Sequence, residues 1–353
     1  MKHKLLDLGE DVRLSQFLCN RSAQAHILAP ADFLQVLRER APGAKWTQSE
    51  TVDKIPAAAK RIFVYDPEDE TGVMRAVQEA KQTEAVYGVL HHIVPMLAVN
   101  KLQPDIPKRP KHDPLDISAP PATCFAVVCT PRTGSTFFCE LLEAGGLGMP
   151  KEHLRPALVH VLRAPRVEHE IVYDQIMRAA TVNGIFGTKI ISHFLFDVAG
   201  QDRAAERLEC LSGRGFKFIR LRRDEVEQAI SKYSSKHSGI WHERGEVSSK
   251  AQQRIGTVPY VFDEIHETYR KAIREGEALD VAMKSLPAQD VLELDYADFT
   301  HEPLNALQEA ANFLGVQANL AAVKFEELPA KLSSGVDHIQ ELRERFVSEL
   351  KAR

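Results

Sequence analysis

Long hydrophobic runs are missing from this chain. No apolar stretch reaches membrane-spanning length, so no transmembrane helix is expected. The opening MKHKLLDLGEDVRLSQFLCN is charged and holds no sustained apolar core, so no secretory signal is read there. Cysteines are few. There are five, Cys19, Cys124, Cys129, Cys139 and Cys210, and none forms a C-x-x-C pair. That argues against a disulfide framework or a zinc site and makes the cytoplasm the default compartment. None of the fourteen histidines forms H-E-x-x-H or a similar ligand set, so no metal is expected. His91 and His92 are adjacent, point different ways on a helix, and read as surface or packing residues. A strong charge of either sign is also absent. The formal net charge of −4 argues against a protein that coats nucleic acid, while leaving room for local basic pockets. At 353 residues, 44% apolar and 27% charged, the chain is ordinary globular protein of about two domains.

The clearest seam is the segment 101–123, KLQPDIPKRPKHDPLDISAPPAT, whose six prolines forbid a continuous helix or central strand. It reads as an extended linker, or a strap hugging the surface, between residues 1–100 and 124–353. The first region is mixed and largely helical in expectation. FLQVLRER (33–40) reads as helix, RIFVYDP (61–67) as a strand ended by Pro67, and 71–99 as helix-forming sequence interrupted by Pro95. It carries no chemical motif and no repeat, and its role is open. Beyond the linker, CFAVVCT (124–130), IFGTKII (185–191), FKFIRLR (216–222) and VLELDY (291–296) are strand candidates separated by helical stretches. Strands alternating with helices predict a three-layer α/β domain with a mostly parallel sheet.

The most informative segment is Cys129-Thr130-Pro131-Arg132-Thr133-Gly134-Ser135-Thr136, between a buried strand and a helix. At such a junction the loop and first-turn N–H groups converge on one spot, and the helix dipole favours an anion there. Gly134 lets the backbone approach closely, Ser135 and Thr136 add hydroxyls, and Arg132 adds a planar fork for phosphate or sulfate oxygens. The loop is not a Walker A motif, because it lacks the G-K-[ST] lysine. Read alone, it is also compatible with a plain strand–turn–helix.

A second strand–turn–helix spans 217–235, KFIRLRRDEVEQAISKYSS. Asp224 is a good N-cap with Glu227 three residues on, and Val226, Ala229, Ile230 and Tyr233 mark the buried helix face. Arg220 and Arg222 share one side of the strand by its two-residue period. Arg222 stands at the strand's C-terminal end, where α/β ligand sites gather, and Ser231 lies two turns into the helix. The competing reading pairs Arg222 with a surface carboxylate.

These motifs carry a family resemblance over roughly 120–350. TPRTGSTFFCELL resembles the 5′-phosphosulfate loop of sulfotransferases that use 3′-phosphoadenosine-5′-phosphosulfate (PAPS). RRDEVEQAIS resembles their 3′-phosphate motif, and 294–315 resembles their closing Tyr-x-Asp…Pro…Phe-Leu-Gly element. Gly187-Thr188-Lys189 and the R-x-D-x-x-x-Q-A-x-S spacing from Arg222 are similar to the bacterial trehalose 2-sulfotransferase-like and lipopolysaccharide sulfotransferase branch. The resemblance implies a P-loop-like sulfotransferase domain that moves a sulfuryl group from PAPS, as co-substrate and without metal, to a carbohydrate or glycolipid hydroxyl. It implies that Arg132, Thr133, Gly134, Ser135 and Thr136 hold the 5′-phosphosulfate, and that Arg222 and Ser231 hold the 3′-phosphate. Glu152, in Pro150-Lys151-Glu152, falls at the branch's catalytic glutamate, with His153 the competing base or an acceptor contact. Arg132 would neutralise transition-state charge; Lys189, at the ligand-binding edge of its strand, would do the same or simply pair with an acid, and Trp241 would stack on a sugar or the adenine or else belong to the core. Lys331, Ser333 and Ser334 match the family's late basic loop only loosely. Homodimers are common in this branch. The alternatives are a nucleotide-kinase-like phosphotransferase and a non-catalytic nucleotide-binding protein.

Overall fold

The computed structural model describes residues 25–40, 45–93, 120–153, 176–178, 180–241, 243–245, 247–330 and 337–353, except for the side chains of Arg40, His91, His92 and Val198. Cys19, the proline-rich segment up to residue 119, and Lys331, Ser333 and Ser334 lie outside the described residues. So do the side chains on which the reading of His91 and His92 rests. The described chain falls into two compact units, one holding 25–93 and 176–178 and the other holding 120–153 and the described residues from 180 on.

The first unit runs β1 (Ala25–Leu28), α1 (Ala31–Arg40), β2 (Thr47–Ser49), β3 (Arg61–Val64), α2 (Glu70–Lys81) and β4 (Val86–Gly88). All pairings are parallel, in the order β2-β1-β3-β4. The region is therefore mixed and partly helical, with more sheet than its sequence announced. Helix α1 covers the FLQVLRER segment and buries Phe33, Leu34 and Leu37 against Ile27 and Phe63 of the sheet. Asp69 caps α2 by accepting from Gly72 N. Gln82 then turns left-handed, with φ 49°, and ends the helix far short of residue 99. Val86-Tyr87-Gly88 pairs with Ile62-Phe63-Val64, so sheet pairing overrides the local helical preference.

The second unit contains β5 (Thr123–Cys129), α3 (Ser135–Ala144), β6 (Ile185–Ile191), α4 (Ser192–Ala199), α5 (Ala204–Ser212), β7 (Phe216–Arg222) and α6 (Glu225–Ser238). It continues with α7 (Ser249–Gly256), α8 (Phe262–Met283), β8 (Val291–Asp295), α9 (Tyr296–His301), α10 (Pro303–Leu314) and α11 (Asp337–Ala352). Its four strands are parallel in the order β6-β5-β7-β8. On one face Phe125, Val127, Cys129, Ile219 and Leu221 pack against Phe138, Leu141 and Leu142 of α3 and Leu307 of α10. The opposite face carries Arg220 toward Asp280 of α8. Helices on both sides of a parallel sheet make the expected three-layer α/β domain. In register, Cys129 stands beside Ile191 and Leu221, so the loops after β5, β6 and β7 gather at one sheet edge. No helix among the described residues is long and apolar enough to cross a membrane.

Candidate active site

The β5–α3 loop is held in an unusual backbone shape. Arg132 and Gly134 both take positive φ, 68° and 78°. A Cβ on Gly134 would stand 2.7 Å from Cδ2 and Cε2 of the Tyr296 ring, so only glycine fits there. Gly134 is the N-cap of α3 and contributes no capping side chain, which leaves the first-turn N–H groups at the loop as anion donors. Thr133 is fully buried and its hydroxyl donates to the Thr130 carbonyl at 3.0 Å. It braces the loop and does not line the cavity. Thr130 donates to Gln228 Oε1 at 2.7 Å, Gln228 Nε2 donates to the Arg223 carbonyl at 2.7 Å, and Arg223 Nη1 donates to the Arg132 carbonyl at 3.0 Å. This chain ties the loop to the β7–α6 turn. Gln228, visible in the sequence only as a letter in a spacing pattern, is its centre.

Loop and turn face a common cavity of about 600 Å³. Arg132, Gly134, Ser135 and Thr136 line it, as do Ser231 and Trp241. Arg132 Nε donates to Ser231 Oγ at 3.0 Å, and Nη1 to the Trp241 carbonyl at 3.2 Å. Its guanidinium carbon lies 5.8 Å from the half-exposed Trp241 ring. Burial, and then the neighbouring Arg223 charge, bring the Arg132 pKa down to about 10, so it is still a cation at neutral pH.

The arginine that turns from β7 into this cavity is Arg223, not Arg222. Arg223 lies 3.9 Å over the Tyr296 ring and its Nε reaches Glu227 at 3.2 Å. Arg222 is absent from the lining. Glu293 takes it through both carboxylate oxygens, at 2.8 and 3.0 Å, and Asp280 takes its Nη1 at 2.9 Å. The two-residue period holds: Arg220 reaches the same Asp280 at 3.0 Å. That shared side is the α8 face, and the first residue past the strand faces the cavity. The signal available in the sequence was that Arg220, buried in a central strand, needs an acid, and Arg222 on the same side meets it too. Asp224 caps α6 by accepting from Glu227 N at 2.9 Å, as its position predicts.

Glu152, Lys189 and His153 cluster beside β6. Lys151 bridges to Thr188, and Lys189 N donates to the Lys151 carbonyl at 2.8 Å, so 151–153 runs along the strand. Lys189 Nζ meets Glu152 Oε1 at 3.0 Å, with 10% and 17% of their side chains exposed. Lys189 stands opposite Val127, two residues before the strand end, on the α3 face. Neither residue lines the large cavity. His153 is 1% exposed, its Nε2 lies 3.3 Å from the Met149 carbonyl, and burial pulls its pKa down to about 4. Burial therefore favours its neutral form, and it does not line the large cavity. Burial also pushes the Cys139 thiol up to about 12 and raises that of Cys129, so neither is a nucleophile at neutral pH. Among the described residues no group of three or more His, Cys, Asp or Glu could hold a metal ion.

A parallel sheet with a glycine-turned loop and a second cationic turn on one cavity has the architecture that suits phosphate- or sulfate-bearing ligands at the strand ends. Residues 124–344, more than half the chain, match the Stf0 sulphotransferase family model, and the chain belongs to that family: it is a sulfotransferase. No curated protein matches it. Among solved structures it is similar to the sulfotransferase from Alicyclobacillus acidocaldarius, at 16% identity and TM-score 0.35, over 66% of this chain and 93% of that one. It is also similar to STF1 from Mycobacterium tuberculosis, at 14% identity and TM-score 0.36, over 73% and 83%. A third is STF9 from Mycobacterium avium, at 11% identity and TM-score 0.37, over 97% and 87%.

Proposed function

We propose that this sulfotransferase uses PAPS and transfers its sulfuryl group to a hydroxyl of a carbohydrate or glycolipid, without a metal. The observation that carries the donor assignment is the pairing of two anion-binding corners on one cavity, the α3 N-terminus with Arg132 and the β7–α6 turn with Arg223. A nucleotide with phosphates at both ends of its ribose spans such a pair. In this reading Arg132, Gly134, Ser135 and Thr136 hold the 5′-phosphosulfate while Thr133 braces them from behind. Ser231 and Arg223 hold the 3′-phosphate, and Arg222 is left to its ion pairs.

In the reaction, the acceptor oxygen forms a bond to sulfur as the bond from sulfur to the 5′-phosphate oxygen breaks. The acceptor proton passes to a base, and 3′,5′-phosphoadenosine (PAP) leaves. Glu152 is the base in this reading. Its carboxylate pairs with Lys189 at 3.0 Å, and the same ammonium is poised to balance charge on the sulfonate as the carboxylate takes up the proton. Trp241, half exposed at the cavity rim, offers a flat face to a sugar or to the base. The acceptor class, a homodimeric state, a cytoplasmic location and an accessory role for the N-terminal unit before a proline-rich linker belong to the same reading and rest on the family resemblance.

The test is transfer of radiolabelled sulfate from PAPS to a panel of cell-derived glycans, glycolipids and small sugars. Label on a sugar hydroxyl is expected. Label only on phenols or non-sugar alcohols would replace the acceptor class, and Mg²⁺-dependent turnover of ATP in place of PAPS would replace the donor.

A further inference from the structure

Three buried side-chain polar atoms among the described residues have no hydrogen-bond partner: Trp46 Nε1, Ser234 Oγ and Arg343 Nε. Two of the three residues, Ser234 and Arg343, line the active-site cavity. Ser234 is only 4% exposed. Folded proteins pair almost all such groups, because an orphaned buried donor carries its full desolvation cost. Two orphans on one cavity point to a ligand that completes them.

Different elements bring them together. On α6, Ser231 and Ser234 share one helix face by their three-residue spacing, so Ser234 sits about one turn beyond the hydroxyl that meets Arg132. Helix α11 packs Leu342 and Phe346 against Ile230 and Tyr233 of α6. Arg343, next to Leu342, then turns to the cavity together with Gln340. Glu227 is the only acid among the described lining residues, and Arg223 occupies it. Arg343 has five N–H donors and no acceptor, and a serine hydroxyl can donate as well. Such a donor pair suits an oxyanion with several lone pairs, and a planar guanidinium suits a phosphate monoester in particular.

We infer that Ser234 and Arg343 form a further wall of the donor site, contributed by α6 and the C-terminal helix α11, that binds the second phosphate of the nucleotide. The inference rests on the PAPS reading above. It adds a consequence: the bound nucleotide links α11 to α6, so the C-terminal helix is part of the ligand clamp and not only a lid on the core.

The experiment titrates the full chain with PAP and with adenosine 5′-monophosphate, which lacks the 3′-phosphate, by calorimetry. Arg343→Met is expected to weaken PAP about 10- to 100-fold and Ser234→Ala about 5- to 10-fold, with the monophosphate changed by no more than about twofold. Ser234→Ala is also expected to leave the melting temperature of the ligand-free protein unchanged or slightly raised, because it removes an unpaired hydroxyl. It keeps the test decisive if Arg343→Met fails to fold. Equal weakening of both nucleotides would place the two side chains on the base or ribose and overturn the inference. Unchanged PAP affinity in both variants would overturn it as well. A folded wild-type chain that binds no PAP would instead remove the PAPS reading itself, a result visible without any variant.

Discussion

Arg222 and Arg223 are neighbours with opposite fates, and exchanging each for methionine separates a ligand contact from an ion pair. Methionine keeps an unbranched apolar stem and deletes the charge. The Arg223 guanidinium sends Nη1 to the Arg132 carbonyl and Nε to Glu227, and stacks on Tyr296 at the cavity wall. One charged hydrogen bond to a phosphate is worth about 1.5–3 kcal/mol, so Arg223→Met should weaken PAP by about 10- to 150-fold. Adenosine 5′-monophosphate should lose less, through the slackened loop alone. Arg222 is 40% exposed and its partner Glu293 55%. Discounted for solvent screening, that pair is worth no more than about 1 kcal/mol of stability, and Asp280 keeps Arg220 when Arg222 is gone. Arg222→Met should therefore leave PAP affinity within about twofold and lower unfolding stability by up to about 1 kcal/mol. Calorimetric titration with both nucleotides and urea unfolding read these effects. A tenfold or greater loss of PAP binding in Arg222→Met, with Arg223→Met near wild type, would refute the assignment.

Gly134→Ala should cost about 2–4 kcal/mol in chemical unfolding, from about 1–2 kcal/mol of left-handed backbone strain plus the displaced Tyr296 ring; a loss under about 0.5 kcal/mol would show that the loop relaxes freely. Glu152→Gln should lower turnover about 10²- to 10⁴-fold with nearly unchanged PAP affinity, while His153→Asn leaves turnover far less affected; the reverse order in steady-state kinetics would move the base to His153. His153 is held neutral by burial, with a pKa of about 4 against an ordinary value of 6.5. The unfolded chain therefore binds the extra proton between those values, and stability falls as pH drops through that window, by about 3 kcal/mol at its lower end. His153→Gln should flatten this part of the pH–stability curve relative to wild type, with the similarly depressed His26 contributing equally to both proteins. Parallel curves would show that His153 is not held neutral in the fold.

Much of the catalytic domain was readable because buried parallel strands announce themselves. IFGTKII and FKFIRLR coincide with β6 and β7 residue for residue, since both faces of such strands are covered and the apolar run is nearly continuous. Three strands of the first unit gave no such signal: AHIL, TQS and VYG are three or four residues long and exist through pairing, AHIL and VYG with β3 and TQS with AHIL. The strand–turn–helix shape of the β5–α3 loop was legible from Gly134 and its neighbours, because a local turn needs no distant partner. Contacts made by the fold were not. The sequence could not say that Asp280 on α8 would claim Arg222, that Lys189 would meet Glu152, or that α11 would carry Arg343 to the cavity. The sole hint about the two arginines was strand parity, and parity says which residues share a side, not which side holds the ligand.

The state of Arg132 ties these observations together. A non-glycine residue at φ 68° is strained, and strain of this kind persists only where its surroundings impose it. Here the Arg223 guanidinium grips its carbonyl, and the Thr130–Gln228 bond fixes the loop behind it. Its side chain is a second stress: a cation drawn into a largely buried site, its pKa lowered by burial and by Arg223, with a hydroxyl and a carbonyl as hydrogen-bond acceptors. In the PAPS reading, an arriving phosphosulfate would relieve the charge stress and leave the backbone constraint in place. The loop is thus shaped before the ligand comes, and ligand binding need not supply the free energy of shaping it. Because Arg132 shares Ser231 with the second anion corner, an anion bound at either corner changes the partners available at the other. That coupling favours a ligand carrying both anions over two separate ions, which is the recognition a doubly phosphorylated donor nucleotide requires.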